Sequence, residues 1–286
     1  MRSRRGPAYG RRGRGVPFKI YKIYKIYTAL ILLFLYAPMG VMVLYSFNAS
    51  TSTARMGGLS LRWYGELLRN TAAQQALRNT LLLALLAAVF SVALGTAAAL
   101  GLDRMRRKWV RSLLLGVTNL PLMNPEIVTG VSMMLLFVSG ARLLHLRTAL
   151  GFGSLLLAHV TFCLPYVILS VLPKLRQTDP HLAEAAQDLG CSPARAFFKV
   201  VLPAISNGVV SAFLMAFTIS LDDFVVSNFT NGPSFQTLPL YIYSMTKKRV
   251  QPDMYALSSL IFVAIFVLLI LSNGVQAKAE KKKTRR

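Results

Sequence analysis

Six long apolar stretches divide this chain, and they restrict its fold more than any other feature. They cover about residues 27–47, 79–102, 112–139, 153–172, 204–221 and 254–273. Each is close to the roughly twenty residues that an α-helix needs to cross the hydrocarbon core of a bilayer. A water-soluble domain does not keep so many apolar residues, 54% of the chain, in unbroken runs. The sequence therefore predicts an all-α, polytopic membrane protein with about six transmembrane helices.

The polar segments between these stretches are basic, and the formal net charge is +23. If both termini lie in the cytoplasm, 24 of the 33 lysines and arginines fall in inner segments. That distribution follows the positive-inside rule and predicts basic cytoplasmic tails at 1–26 and 274–286, around a transmembrane domain at 27–273. The charge suits an anionic membrane surface, and no nucleic-acid-reading motif accompanies it, so nucleic acid is not expected as a partner.

Acidic residues are few, ten in all, and three of them stand at membrane depth. Glu126 follows Pro125 inside the third stretch, and Asp222 and Asp223 end the fifth. Ionisable groups in such positions are candidates for a transport pathway, and carboxylates without neighbouring Lys or Arg favour a cationic cargo. With Tyr243 they form the predicted substrate pathway. The alternative is that the three carboxylates only cap helix ends.

Other chemistry finds little support in the sequence. Cys163 lies in an apolar run and Cys191 in a polar loop, and their positions predict neither a disulfide nor a metal site. His159, inside the fourth stretch, is expected to form hydrogen bonds between helices. The chain has no GxxxxGK[ST] motif, so it is not expected to bind or hydrolyse ATP itself. Three scattered histidines do not predict a membrane enzyme.

The segment Asp179–Ile205, DPHLAEAAQDLGCSPARAFFKVVLPAI, predicts two short helices at the inner side of the membrane. Its start and stop signals, in chain order, are Asp179, Pro180, Gly190, Ser192, Pro193 and Pro203. The first two should begin a helix at 180–189 and the glycine should end it; Ser-Pro should begin the second helix and the last proline should end it. The small and apolar face of the first helix is predicted to contain Leu182, Ala185, Ala186 and Leu189.

This segment resembles the cytoplasmic loop of permease subunits in binding-protein-dependent ABC importers. The loop has the pattern EAA, three residues, G, nine residues, I, any residue, LP. The matching residues are Glu184, Ala185, Ala186, Gly190, Leu202 and Pro203, with Val200 in place of Ile. The resemblance implies the type I ABC importer permease fold, with 173–203 as a coupling loop. It also implies that the first short helix docks on a separate ATPase subunit and transmits its motion.

Several further stretches resemble the spermidine/putrescine permeases within that family. They are YAPMGVMVLYSFN, PEIVTGVSMMLLF, LAHVTFCLPYV and AFTISLDDFVVSNFTNGP. The resemblance implies a heterodimer with a second related permease, an ATPase dimer that binds ATP and Mg, and a periplasmic or lipid-anchored polyamine-binding protein. It places the complex in a bacterial inner membrane, where it would import polyamines by alternating access. A different small cation or a metal-loaded ligand as cargo stays open, and so does a stand-alone channel or secondary carrier.

Overall fold

The structure, a computed structural model, describes residues 18–50, 55–145, 148–233, 235–247 and 254–267, together with 270 and 274. The regular elements in this part of the chain are all helices, which confirms the predicted all-α class. They are α1 Phe18–Ser46, α2 Arg62–Arg69, α3 Thr71–Arg104, α4 Lys108–Met123, α5 Glu126–Leu143, α6 Phe152–Arg176, α7 Leu182–Asp188, α8 Pro193–Ala196, a π-helical segment Phe197–Val201, α9 Leu202–Ala204, α10 Ser206–Asp222, α11 Val225–Thr230, α12 Leu238–Thr246 and α13 Met254–Val267.

Three helices, α3, α6 and α10, pack against one another and form the core of the bundle. Small residues allow them to approach closely: Ala88, Ala158 and Ala212 are fully buried. A Cβ atom added at Gly95 would lie 2.5 Å from Cγ1 of Val167, so only glycine fits at that crossing. Close contact through small residues is the usual source of stability between helices in a membrane, where lipid removes the hydrophobic driving force.

Helix α1 lies at the edge of this core and exposes apolar side chains along most of its length. Its candidate membrane span, Tyr24–Ser46, is apolar but contributes no buried residue over its most hydrophobic stretch. Its C-terminal end is held in place: Oγ of Ser46 lies 2.8 Å from the hydroxyl oxygen of Tyr64, and two residues beyond the helix the Trp63 indole N–H donates to the carbonyl of Asn48 at 2.6 Å. Such a surface suits a helix that is surrounded by lipid or by another membrane subunit.

The third predicted span, 112–139, is divided in the structure into α4 and α5. The division lies at Asn124 and Pro125, whose backbones are extended. Proline has no N–H to continue the helix, and it forces the preceding residue out of the helical region, so α4 ends before this pair. Glu126 begins α5, where the N-terminal end of the helix dipole favours a carboxylate.

The fifth predicted span is preceded by a sharp bend. The helical run Pro193–Ala204 and helix α10 meet at 75°, with the buried Ile205 between them. The prediction that Pro203 ends the second short helix is wrong, because the helix continues through Ala204. The π-helical turn Phe197–Val201 directly before it gives the reason: a widened turn accommodates the ring, which would meet the carbonyl of residue 199 in a regular α-helix.

Four described helices, α1, α3, α5 and α6, are long and apolar enough to cross a membrane, and the bent pair gives a fifth. Helices α11 and α12 are too short to span a bilayer, with six and nine residues. In the sixth predicted span α13 is described as far as Val267; residues 268–269 and 271–273 lie outside the described part. So do the predicted tails up to residue 17 and from residue 275. The membrane boundaries stay predictions.

Candidate functional site

The first helix of the coupling loop, α7, begins two residues later than the sequence predicts. It starts at Leu182, and Pro180 is not its first residue. Oδ1 of Asp179 accepts the N–H of His181 at 2.9 Å, two residues along the chain. Aspartate closes such a turn on its own backbone, and here this turn precedes the helix and replaces the predicted cap. The predicted start of the helix was therefore wrong by two residues.

The end of α7 is the one that the sequence predicts. Gly190 has φ +87°, a left-handed conformation that glycine adopts without steric cost. Its N–H donates to the carbonyl of Gln187 at 2.8 Å, and the N–H of Cys191 donates to the carbonyl of Ala186 at 3.1 Å. This pair of bonds closes the helix as a Schellman motif and turns the chain sharply.

The predicted small and apolar face of α7 is only partly buried in the structure. Ala183 and Ala186 are buried, whereas Ala185 is exposed and Leu189 is 88% exposed. The helix packs against the π-helical segment through the two buried alanines. The EAA residues are therefore split: Ala186 fastens the helix, and Glu184 and Ala185 face outward, where another protein can contact them.

The second half of the coupling loop connects this exposed surface to the core. Val201 and Ile205 are buried in the main hydrophobic cluster, beside the half-buried Leu202, while Pro203 is exposed. Phe198, 64% exposed, adds an apolar side chain to the outward surface. The loop thus has an anchored end at the start of α10 and a free apolar and acidic face.

One ion pair lies on that free face. Nδ1 of His181 is 2.9 Å from Oε2 of Glu184, and both side chains are largely exposed. The hydrogen bond to Glu184, then its charge, and then the charge of Asp179 raise the pKa of His181 above its ordinary value. Because solvent screens exposed pairs, the geometry orients Glu184 more than it stabilises the helix.

The predicted pathway carboxylates Glu126 and Asp222 lie near each other. Glu126 is exposed in the first turn of α5, and Asp222 is exposed at the last position of α10. The two charges are close enough to interact, and Glu126 also interacts with the half-buried Tyr166 of α6. Two carboxylates 96 positions apart along the chain therefore lie within electrostatic range of each other, and Tyr166 lies within range of one of them.

Asp223, the second member of the aspartate pair, has a different environment. It is 8% exposed, and its two oxygens accept the N–H groups of Val226 at 3.3 Å and Ser227 at 2.8 Å. These are free N–H groups at the start of α11, so the carboxylate caps that helix. The capping alternative thus describes Asp223, while the exposed Asp222 remains available to a cargo.

His159 lies next to Asp223 in the interior of the bundle, and its side chain is 1% exposed. Its Nδ1 is 2.7 Å from Oγ of Ser220, and its Nε2 is 3.0 Å from Oγ of Ser227 and 3.5 Å from Oδ2 of Asp223. The ring thereby links α6 to both α10 and α11. The prediction that His159 forms hydrogen bonds between helices is confirmed.

Tyr243, the fourth predicted pathway residue, lies on α12 next to the aspartate pair. Its ring centroid is 4.6 Å from that of Phe224, which follows Asp223 in the chain. The ammonium group of Lys247 lies 4.7 Å from the same centroid. The aromatic face of Tyr243 is thus in a cation–π contact with Lys247 at the end of its own helix.

Sequence reasoning did not identify Ser220 and Ser227 as members of the site. A signal for them exists: together with Asp223 they are spaced three and four residues apart, as on one helical face. Both cysteines are free, and among the described residues no group of three or more His, Cys, Asp or Glu could hold a metal ion.

Comparisons with known proteins place the chain in a family. Residues 91–285 match the binding-protein-dependent transport system inner membrane component. The putrescine transport system permease protein PotI of Escherichia coli K12 is 40% identical over 252 residues, 88% of this chain and 90% of that protein. The spermidine/putrescine transport system permease protein PotC of the same organism is 35% identical over 254 residues, 89% of this chain and 94% of that protein.

Solved structures show the same fold at low sequence identity. A bacterial ABC transporter chain involved in the import of the acidic polysaccharide alginate superposes with a TM-score of 0.69 at 16% identity, covering 91% of this chain and 96% of that chain. A chain of the MetNI methionine ABC transporter gives a TM-score of 0.56 at 16% identity, covering 77% of this chain and 99% of that chain. The coupling-loop motif, the helical membrane fold and these matches agree: the chain belongs to the inner-membrane permease components of binding-protein-dependent transport systems.

Proposed function

We propose that the chain is a permease subunit of an ATP-driven importer that moves polyamines across a bacterial inner membrane. The relatives that share 35–40% of its residues are named for putrescine and spermidine transport. The observation that carries the proposal to this chain is the acidic site formed by Glu126 and Asp222. Both carboxylates are exposed, one at the start of α5 and one at the end of α10, and their charges lie within range of each other.

The chemistry of that site suits a polyamine. Such a cargo has ammonium groups separated by short aliphatic chains, so it needs carboxylates at spaced positions and apolar or aromatic surface between them. Glu126 and Asp222 supply the first, and Tyr166 and the Phe224–Tyr243 pair supply the second. Asp223 contributes indirectly, because its oxygens are occupied by the backbone of α11.

The proposed partners are those of binding-protein-dependent transport systems. A second, related permease would complete the pathway, and a binding protein would deliver cargo at the outer face. A dimeric ATPase, which holds ATP and Mg, would contact the free face of the coupling loop with Glu184, Ala185 and Leu189. Both termini of the chain would lie in the cytoplasm, on the same side as this loop, in agreement with the excess of Lys and Arg there.

The transport cycle uses the anchored and free parts of the coupling loop. Closure of the ATPase dimer on ATP moves α7, and the buried Val201 and Ile205 transmit this movement to α10. Asp222 stands at the far end of α10, so the motion reaches the acidic site and changes the side from which it is open. ATP hydrolysis in the partner then resets the cycle, and the cargo is released inward.

The test is uptake of radiolabelled putrescine and spermidine by vesicles that contain the complete complex. We expect uptake only when ATP is supplied on the side of the ATPase subunits and the binding protein is present on the opposite side of the membrane. Uptake by this chain without any ATPase would identify a channel or secondary carrier instead. ATP-dependent uptake of another solute, with no competition by either polyamine, would retain the importer and reject the cargo.

A further inference from the structure

The joint between α10 and α11 has a polar interior, and this is unusual for a segment at membrane depth. Ser220 stands before the joint, Asp223 at it and Ser227 after it, and all three are buried. His159 of α6 contacts all three side chains from one ring, at 2.7, 3.5 and 3.0 Å respectively. A buried polar cluster costs free energy unless each member is hydrogen-bonded, and this one is connected throughout.

One protonation pattern of the ring satisfies these contacts together. With the proton on Nε2, the imidazole donates toward Asp223 and Ser227, and its Nδ1 accepts the hydroxyl hydrogen of Ser220. The Asp223 carboxylate meanwhile accepts two backbone N–H groups of α11. The ring therefore contacts both sides of the break between α10 and α11.

The residues on either side of Asp223 belong to the proposed substrate pathway. Asp222 precedes it and lies near Glu126; Phe224 follows it and contacts Tyr243. Helix α11 also packs on α5, where a Cβ atom at Gly130 would lie 2.8 Å from the Phe229 ring. Asp222 thus stands directly before a joint whose two sides are held by contacts with α6 and α5.

We propose that His159 is a positioning residue for cargo binding: by holding the α10–α11 joint, it sets the direction of Asp222, the exposed carboxylate that directly precedes the joint. His159 does not touch the cargo, and it acts through Asp222. The proposal rests on the proposed polyamine import only for the nature of the cargo. The positioning itself is a property of this chain and has its own measurement.

The transport experiment compares His159→Leu and His159→Gln in the complete complex. His159→Leu removes every hydrogen bond of the ring, and we expect the KM for putrescine to rise at least tenfold while the maximal rate changes less than twofold. His159→Gln keeps a donor and an acceptor and should recover most of the loss. The matched control is Ser91→Ala, which removes a buried interhelical hydrogen bond to the carbonyl of Val160, outside the joint, and should leave KM unchanged.

A double variant separates positioning from general stability. If His159 acts through Asp222, His159→Leu combined with Asp222→Asn has the same KM as Asp222→Asn alone. A purely structural role gives multiplied effects, and that result overturns the proposal. If His159→Leu prevents assembly, Ser227→Ala removes one of the ring's contacts and should raise KM in the same direction, by a smaller factor; an unchanged KM in Ser227→Ala then overturns the proposal.

A cargo-independent measurement keeps the two hypotheses apart. In an Asp222→Cys variant with Cys191→Ser, the rate of thiol modification by a water-soluble reagent reports where position 222 points. We expect His159→Leu to change that rate several-fold even if the complex transports no polyamine. An unchanged rate contradicts the positioning role, whereas absent uptake with a changed rate contradicts only the assigned cargo.

Discussion

The coupling loop and the α10–α11 joint are both short, bent helical segments, but they are held in opposite ways. In the coupling loop the shaping hydrogen bonds join residues a few positions apart, as from Gly190 to Gln187. The joint has local bonds too, from Val226 and Ser227 to Asp223, but others connect His159 to residues 61 and 68 positions away. A segment that shapes itself can expose one face to a partner, whereas a segment shaped by the bundle responds when the bundle moves. This difference is the one expected if the coupling loop docks on a partner and the joint changes its shape when the bundle moves.

The largest expected effect tests the free face of the coupling loop. Glu184→Lys reverses an exposed charge without disturbing the buried Ala183 and Ala186. We expect uptake to fall by about tenfold or more, which corresponds to at least about 1.4 kcal/mol in the coupling step, while the complex still inserts and assembles. The measurement is uptake alongside ATPase activity, and Glu66→Lys on the exposed side of α2 is the control. Normal coupling of ATPase activity to uptake in Glu184→Lys would contradict the proposal that the ATPase docks on this face.

The next effect tests the difference within the aspartate pair. Asp222→Asn should raise the KM for the cargo about tenfold, a loss of about 1.4 kcal/mol, with no change in thermal stability, because the side chain is exposed. Asp223→Asn places an amide N–H₂ near the N–H donors of α11 and should cost about 1–3 kcal/mol of stability. Uptake kinetics and the thermal midpoint of the purified complex separate the two. Identical behaviour of both variants would contradict the assigned roles.

A smaller effect concerns the core that both regions depend on. Gly95→Val puts a side chain into Val167 and should destabilise the bundle by about 1–3 kcal/mol. Gly101→Ala, in the same helix, meets no atom within 4 Å and serves as the control, with unchanged or slightly higher stability. Thermal denaturation in detergent measures both. If Gly95→Val is as stable as Gly101→Ala, the close crossing of α3 and α6 is incorrect.

The smallest effect is the titration of His181. Glu184 raises its pKa above the ordinary value of 6.5, so the pair's contribution is complete below that value and is lost as the pH rises through the raised pKa. Glu184→Gln should return the pKa toward the ordinary value. Titration of the His181 imidazole by NMR shows the difference, and the same midpoint in both proteins would mean that the pair does not form in solution.

Sequence reasoning succeeded where the determining residues are close along the chain. Gly190 predicted the end of α7, because one backbone position decides that feature. It failed at Pro180 and Pro203, where a neighbouring side-chain turn and a π-helical turn absorbed the expected effect.

The acidic site shows why the rest could not be predicted. Asp222 and Asp223 are identical neighbours in the sequence, and only the packing of α6 and α11 makes one exposed and the other buried. The approach of Glu126 to Asp222 likewise depends on how α5 docks against α11. Such differences arise from contacts between distant segments, and the pattern of apolar residues along the chain does not predict those contacts.

The 75° bend at Ile205 converts one direction of movement into another. If the bend keeps its angle, a movement of the short arm, Pro193–Ala204, rotates the long arm, α10, and displaces its far end sideways. The seventeen residues of α10 make the long arm roughly 25 Å, and the twelve residues of the short arm span roughly 18 Å. A displacement of one ångström at the end of the short arm therefore reaches Asp222 as roughly 1.4 Å.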